Sequence, residues 1–365
     1  MKYLIGIWLM NLIFQTVAAH TTQVRTDSIA LYFSEAKKAT QQHAGLWNRD
    51  LYGPLLLADP QTRQVYANAP DKAGLLHSLN GIYQGILPKD IPIANTEISW
   101  NGVHWAMVKL PLPDKREDRT DLITHELFHV AQPSLGFELK REENIHLDDR
   151  EGRIYLRLEM AALREALLSS RLSRSEEHLR NALIFRRYRH LLFRGADASE
   201  NSLELLEGLA SYTGQMMSGR DKWQLRDYLI NRINAFEELP SYVRTFAYET
   251  IPVYGFFLYQ KDNNWNKKID SDSDLTAFFS DAFGMEMRII LQTYVKQVAD
   301  EYNGRTIVDE EQSREISHSA RLDLYRQKFL ENPHLEIRLG DIEISFDFQN
   351  VIPLDEDEGM VYFTI

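Results

Sequence analysis

Hydrophobic and polar residues alternate in short runs through the first third of the chain, and this two-residue period is that of β-strands. One pair of runs lies on either side of the turn residues 59–62, and a longer pair lies on either side of Asn101-Gly102. Asn-Gly between two β-rich runs is the strongest short-range hairpin signal that a sequence carries. The four runs are residues 54–58, 64–67, 91–100 and 103–110. We therefore predict two antiparallel hairpins in this region.

The spacing of hydrophobic residues is helical before the hairpins, at 27–45, and again from residue 121 onward. The later predicted helices cover residues 121–132, 156–168, 178–192, 203–217, 223–236, 248–260, 274–300 and 313–330. After residue 335 the pattern alternates again, which predicts strands in the tail. These elements predict an α+β fold with N-terminal antiparallel β hairpins, a mainly helical body and a short C-terminal β segment.

The chain is predicted to consist of four segments. The charged stretch 114–120 separates the β-rich front from the helical body. We expect a signal peptide at 1–19, a β-rich N-terminal subdomain at 20–113, a helical domain at 114–331 and a C-terminal β segment at 332–365.

Residues 1–19 have the pattern of a secretory signal peptide. Lys2 precedes an apolar run at 3–14, and small residues follow at 17–19. An uncleaved membrane anchor is the alternative for this segment. No later stretch approaches the roughly 20 apolar residues that a membrane-spanning helix needs. We therefore expect an exported protein of the bacterial envelope, periplasmic or secreted, with no stable membrane insertion after cleavage.

The composition excludes several kinds of chemistry and partner. The chain has no cysteine, which excludes thiol catalysis and thiolate metal sites. Its formal net charge is −12, so we expect no nucleic acid partner. One basic cluster is present, and we interpret it as a solvated face of a helix. The cluster consists of Arg186, Arg187, Arg189, His190 and Arg194.

His125 and His129 are the candidate metal ligands. They are four residues apart in a helical segment, so their side chains lie on one face at a separation that one metal ion can bridge. Two neutral imidazoles can hold Zn²⁺ while another position stays open for water. Glu126 lies beside them and is the candidate general base, which receives the proton as water attacks a carbonyl. The HELFH segment at 125–129 therefore predicts metal-assisted hydrolysis.

A catalytic zinc site needs a third protein ligand. The best candidate is Glu207, because its helix face is otherwise apolar and a buried carboxylate is costly unless it is paired or bound to metal. A buried ion pair with an arginine is the alternative role for Glu207. Glu159 is the rival ligand, and we interpret it as a group that orients His125 or His129 through the far ring nitrogen. An ordinary surface position is the alternative for Glu159.

The helix with HELFH at 125–129, followed downstream by EGLASY at 207–212, resembles the gluzincin group of zinc metallopeptidases. In that group HExxH supplies two zinc ligands, and a glutamate on a later helix, often in an EGxAxY context, supplies the third. The resemblance implies a zincin-like helical body with Zn²⁺ as cofactor. The residues so implied are the ligands His125, His129 and Glu207 and the general base Glu126.

The chain departs from the gluzincin pattern in three respects. The segment between His129 and Glu207 is far longer than in thermolysin-like and aminopeptidase-like enzymes, so a helical insertion around 140–200 is expected to fold back over the site. Leu206 stands where the aminopeptidase version has asparagine. No segment resembles the motif that holds a substrate's free amine. The resemblance therefore does not support aminopeptidase activity.

Two further features are expected at such a site. A donor for the developing oxyanion is expected from Tyr254, because gluzincin-like enzymes often bring a tyrosine or histidine from this position; Tyr248 and His146 are alternatives. The strand Trp105–Lys109 precedes the metal helix and resembles the edge strand on which such peptidases align an extended substrate. An ordinary place in the sheet is the alternative for this strand.

The sequence thus predicts an exported zinc-dependent metallohydrolase, a peptidase acting on peptide or protein substrates. The alternative is a catalytically inactive protein that retains the metal fold as a peptide- or envelope-binding module. A third hypothesis is a structural module in which HELFH is coincidental. The first hypothesis requires Glu126 for turnover, the second requires only the metal ligands, and the third predicts no bound zinc.

Overall fold

The computed structural model of the chain describes residues 26–137, 142–285, 291–336, 351–355 and 359–362. The predicted signal peptide at 1–19 and most of the alternating positions predicted as tail strands lie outside these residues. Within the described part, the fold is α+β, as predicted, with a sheet near the N-terminus and a mainly helical body.

Six short strands form the N-terminal sheet. They are β1 (Leu55–Ala58), β2 (Gln64–Ala67), β3 (His77–Leu79), β4 (Ile82–Ile86), β5 (Thr96–Trp100) and β6 (Val103–Lys109). The order across the sheet is β3-β4-β2-β1-β6-β5. Both predicted hairpins are confirmed, because β1 pairs antiparallel with β2 and β5 pairs antiparallel with β6.

The sheet is mixed, whereas the sequence predicted only antiparallel hairpins. β1 and β6 lie side by side and parallel. A third hairpin joins β3 to β4 through Asn80-Gly81, which the prediction missed. Asn80 and Gly81 have positive φ angles of 54° and 80°, as Asn101 and Gly102 do in the predicted turn, at 51° and 75°. Both turns use the two residue types that accept this backbone region most easily.

Helices form most of the chain that follows the sheet, and one precedes it. They are α1 (Thr26–Gln42), α2 (Arg116–Ala131), α3 (Arg150–Leu168), α4 (Leu172–Leu192), α5 (Ala196–Leu203), α6 (Leu209–Met217), α7 (Lys222–Glu237), α8 (Ala247–Lys261), α9 (Leu275–Ala282), α10 (Gln292–Ala299) and α11 (Gly304–Arg326). A π turn, Glu204–Gly208, connects α5 to α6 without a break. Near the C-terminus, β7 (Val351–Asp355) and β8 (Gly359–Tyr362) pair as a hairpin. Most of the charged stretch 114–120 forms the beginning of α2.

The helix α2 lies between the sheet and the helical body. On one side, Ile123 and Leu127 belong to a buried cluster with residues of α1, β1 and β6. On the other side, Phe128 belongs to the core of the helical body, and Gly214 of α6 packs closely against Asp121. Burying an apolar side chain of this size stabilises the fold by about 1.5–3 kcal/mol. Two independent layers of packing therefore fix the helix that carries the HELFH segment.

Two arginines of the cluster that we predicted as a solvated face, Arg186 and Arg189, are buried, so the prediction is wrong for them. Arg187 and His190 are half-buried, and Arg194 is exposed, as predicted. Arg186 and Arg189 are both 0% exposed. Arg186 donates to Glu159 and Glu204, and Arg189 donates to Glu159 and Glu200, over distances of 2.5–2.9 Å. The three glutamates come from α3, α5 and the π turn, so the arginines join these elements through their charges. Buried charges are tolerated when they are paired in this way.

None of the helices in the described ranges combines the length and the apolar character that crossing a membrane would require.

Candidate metal centre

Three predicted ligands meet at one point between α2 and the π turn. The Nε2 atoms of His125 and His129 are 3.1 Å apart. Oε2 of Glu207 lies 3.5 Å from the first and 3.2 Å from the second. The three ligand atoms lie within 4.8 Å of one another, and their side chains are about nine-tenths buried. Two imidazoles and one carboxylate with a further position open are the donor set of catalytic zinc sites.

The π turn carries Glu207 into this cluster. A π turn inserts an extra residue into a helix, and such turns are frequently found at functional sites. Glu207 is 7% exposed, and its carboxylate faces the two histidines of α2. The structure thus brings together the two histidines and the glutamate that the sequence predicts as ligands, although a long segment separates them in the chain.

Tyr248 of α8 supports two of the ligands. Its hydroxyl donates a 2.6 Å hydrogen bond to Oε2 of Glu207. Its ring lies parallel to the ring of His125, with centroids 5.6 Å apart and an angle of 9° between the planes. Tyr248 therefore contacts the candidate metal centre directly, and it places a phenolic hydroxyl there.

Gln132 connects the second histidine to the π turn. Its Oε1 is 2.7 Å from Nδ1 of His129. Its Nε2 donates to the backbone carbonyls of Leu206 and Leu205, at 2.9 and 3.2 Å. Gln132 can occupy this position because α2 ends at Ala131 and the chain continues through a short 3₁₀ turn, Gln132–Leu135.

The ionisation of the three ligands is tightly coupled. Burial alone would raise the pKa of Glu207, but hydrogen bonds from His125 and His129 and their charge hold it well below its ordinary value. Burial lowers the pKa of His125. Burial also acts to lower the pKa of His129, but the hydrogen bond and charge of Glu207 overcome this and raise it to about 9. The charge of His129, whose Nε2 is 3.1 Å from that of His125, also acts to lower the pKa of His125. Metal binding here would release the proton held by His129.

Glu126 is buried beside the ligands. It is 4% exposed, and its charge is one of the causes that raise the pKa of His129. It follows His125 directly on α2, so it is fixed by the same packing. A buried carboxylate within electrostatic reach of a metal-ligating set is suited to accept a proton there.

The structure does not bring Tyr254, Glu159 or His146 to the cluster. Tyr254 is fully buried, and its hydroxyl donates to Oε1 of Glu159 at 3.0 Å. It lies six residues after Tyr248 on α8, a rise of about 9 Å along the axis. Glu159 pairs with the arginines of α4, and it is neither a ligand nor an orienting group for the histidines. His146 pairs with Glu200, at 2.8 Å.

The strand Trp105–Lys109 is not an edge strand. It belongs to β6, which pairs with β1 on one side and with β5 on the other as far as Met107, so it lies inside the sheet. The outermost strands of the sheet are β3 and β5. Of these, β5 contacts α2, the helix that carries the two histidines.

Gly208 sets the distance between the π turn and α8. A Cβ atom at this position would lie 2.8 Å from Cβ of Ile251 and 3.0 Å from the carbonyl oxygen of Ala247. We expect Gly208→Ala to lower the free energy of unfolding by about 1–3 kcal/mol, as overpacking does, and to weaken metal binding because Glu207 moves with the turn. Chemical unfolding and a metal titration measure both effects. Gly45→Ala is the control, since a Cβ there meets nothing within 4 Å. Equal stability of the two variants would contradict this expectation.

Comparisons with known proteins give no match for this chain. No family model, no curated protein and no solved structure matches it. The resemblance to gluzincins is therefore a matter of two sequence motifs, at 125–129 and 207–212.

Proposed function

We propose that this protein is a zinc-dependent metallohydrolase that cleaves peptide or protein substrates. The observation that supports the proposal most is the meeting of His125, His129 and Glu207, with the buried carboxylate of Glu126 close enough for its charge to act on His129. The three clustered side chains would bind a metal ion, and Glu126 would transfer the proton. A structural zinc site would need four protein ligands, whereas three leave room for water and substrate.

Zinc bound by these residues would supply a Lewis acid that lowers the pKa of a water molecule and polarises a carbonyl group. Glu126 would accept a proton from the water while the oxygen of that water forms a bond to the carbonyl carbon. The C–N bond then breaks, and Glu126 would return the proton to the departing nitrogen. Atoms and charges balance, because water is consumed and a carboxylic acid and an amine are formed.

Tyr248 replaces Tyr254 as the proposed donor to the developing oxyanion. Its hydroxyl already lies at the cluster, hydrogen-bonded to Glu207. When a cation binds Glu207, the carboxylate is a weaker acceptor, and the hydroxyl is then able to donate to substrate oxygen. A correctly placed donor of this kind typically contributes a factor of about 10²–10³ to kcat.

Peptides are the proposed substrates for two reasons. The first is the resemblance to gluzincin peptidases. The second is the outer edge of β5, next to α2, which pairs with no other strand among the described residues and whose backbone N–H and C=O groups can pair with an extended chain. We also propose export to the periplasm or the medium, because residues 1–19 have the composition of a signal peptide.

The proposal predicts metal-dependent peptide cleavage. Wild-type protein is expected to cleave members of a peptide library, to lose this activity when a chelator removes the metal, and to regain it when zinc is added. Mass spectrometry of the products identifies the cleaved bonds. A protein that holds one zinc ion per chain yet cleaves no member of the library would contradict the proposal and favour a metal-containing binding module.

A further inference from the structure

The side chain of Gln132 contacts both segments that carry the metal ligands. It is buried, with 3% exposure, and both ends of its amide are hydrogen-bonded. One end contacts the ring of His129 on α2, and the other contacts the π turn one residue before Glu207. A long polar side chain loses considerable entropy on burial, and the hydrogen bonds at both ends of the Gln132 amide offset this cost.

The hydrogen-bond partners determine which way the amide points. The carbonyl oxygens of Leu205 and Leu206 can only accept, so the end that faces them is the NH₂ group. The end that faces His129 is then the amide oxygen, which can only accept. Nδ1 of His129 must therefore carry a hydrogen. In the neutral ring this leaves the lone pair on Nε2, the atom 3.2 Å from Glu207.

The same side chain anchors the π turn. The backbone carbonyl oxygens of Leu205 and Leu206 both accept hydrogen bonds from Gln132. These two bonds tie the turn to the C-terminal end of α2. Gln132 thus fixes the position of Glu207 relative to His129, because its side chain is hydrogen-bonded both to His129 and to the π turn.

We propose that Gln132 is a positioning residue of the metal centre. It holds His129 in the form that presents Nε2 to a metal, and it holds the π turn at the distance that lets Glu207 share that metal. The inference rests on the proposed metal site and adds a residue that the HExxH motif does not include. Groups that orient metal-bound histidines typically change metal affinity by about 10–100-fold when they are removed.

The test compares two substitutions of Gln132 with a matched control in the full-length protein. Gln132→Met keeps the length of the side chain and removes both hydrogen bonds. Gln132→Glu keeps an acceptor for His129 but removes the donor to the carbonyls. Gln215→Met is the control, because Gln215 is also buried, at 3%, and bonds to Ser211 rather than to a ligand. Zinc affinity is measured by competition with a chromophoric chelator, and metal-free thermal unfolding is measured alongside.

Gln132→Met is expected to weaken zinc binding by about 10–100-fold, while Gln215→Met changes it by less than about 2-fold. Gln132→Glu is expected to regain part of the lost affinity, because His129 keeps its acceptor. The absorption spectrum of the cobalt-substituted protein should change in Gln132→Met, since the ligand geometry changes; a purely structural role would lower the unfolding temperature without changing this spectrum.

Two results would overturn the assignment of Gln132. One is wild-type zinc affinity in Gln132→Met. The other is a loss of affinity in Gln215→Met as large as that in Gln132→Met. Both results are compatible with an active peptidase, so they separate this inference from the proposed function. Tight zinc binding without any peptide cleavage would overturn the proposed function alone, and a wild-type protein that binds no zinc would overturn both.

Discussion

Glu126→Gln is expected to reduce kcat/KM for peptide cleavage by about 10²–10⁴-fold while zinc stays bound at one ion per chain. Glutamine has the shape of glutamate, but its amide does not accept a proton near neutral pH. The variant therefore lacks the base that takes a proton from the attacking water. Zinc is expected to stay bound because the substitution leaves the three proposed ligands unchanged, and Glu126 is not one of them. The measurement is steady-state cleavage of a defined peptide together with elemental analysis of the same sample.

Glu117→Gln is the matched control for this experiment. Glu117 lies on the same helix, in its first turn, where it pairs with Arg116 at the surface. We expect it to leave kcat/KM and zinc content unchanged. Full activity in Glu126→Gln would contradict the assigned role of Glu126. Loss of zinc in the same variant would show instead that this carboxylate takes part in metal binding.

The second large effect concerns stability. Arg186→Met is expected to lower the free energy of unfolding by about 3–5 kcal/mol, because Glu204 remains buried without its arginine and Glu159 keeps only the ion pair with Arg189. Glu204 is the first residue of the π turn, and Thr250 of α8 also donates to it at 2.5 Å. We therefore expect Arg186→Met to weaken zinc binding as well, since the same turn carries Glu207.

Chemical unfolding of Arg186→Met and Arg174→Met measures this effect. Arg174 lies on the same helix and pairs with Glu177, but its side chain is 46% exposed. A surface ion pair contributes about 0–1 kcal/mol, so Arg174→Met should change the stability little. Equal free energies of unfolding for the two variants would contradict the view that the buried network stabilises the fold.

The cluster of His125, His129 and Glu207 could be predicted from the sequence because the signals for it are local. The i, i+4 spacing of His125 and His129 needs only a helix, and the hydrophobic pattern around them predicts one. Glu207 can be recognised because its carboxylate lies on an otherwise apolar helix face and the residue begins the EGLASY segment at 207–212. The meeting of these three residues in space was then a consequence of two correctly predicted helical segments.

Other parts of the site depend on long-range packing and could not be read locally. Tyr248 and Tyr254 lie on one helix, and only the packing of α8 against the π turn decides which hydroxyl reaches Glu207. The place of β6 inside the sheet depends on its parallel pairing with β1, which leaves no mark in a short stretch of sequence. The burial of Arg186 depends on glutamates from three other elements.

The hairpin of β3 and β4 has a local signal in the sequence, although the sequence analysis did not predict it. Asn80-Gly81 is the same turn signal as Asn101-Gly102, and it does form a hairpin. The strands beside it are short, and β3 is exposed along its whole length, so the alternation of hydrophobic residues is weak there. The turn residues carried the information that the strands did not.

The most direct test of the account is the zinc content of the purified protein, compared with that of His129→Ala and Glu207→Ala. Circular dichroism checks that each variant is folded. We predict about one zinc ion per chain in the wild type and loss of that ion in both variants, because two ligands do not retain the metal that three hold. No zinc in the wild type after reconstitution, or zinc retained in both folded variants, would contradict a metal centre built from His125, His129 and Glu207.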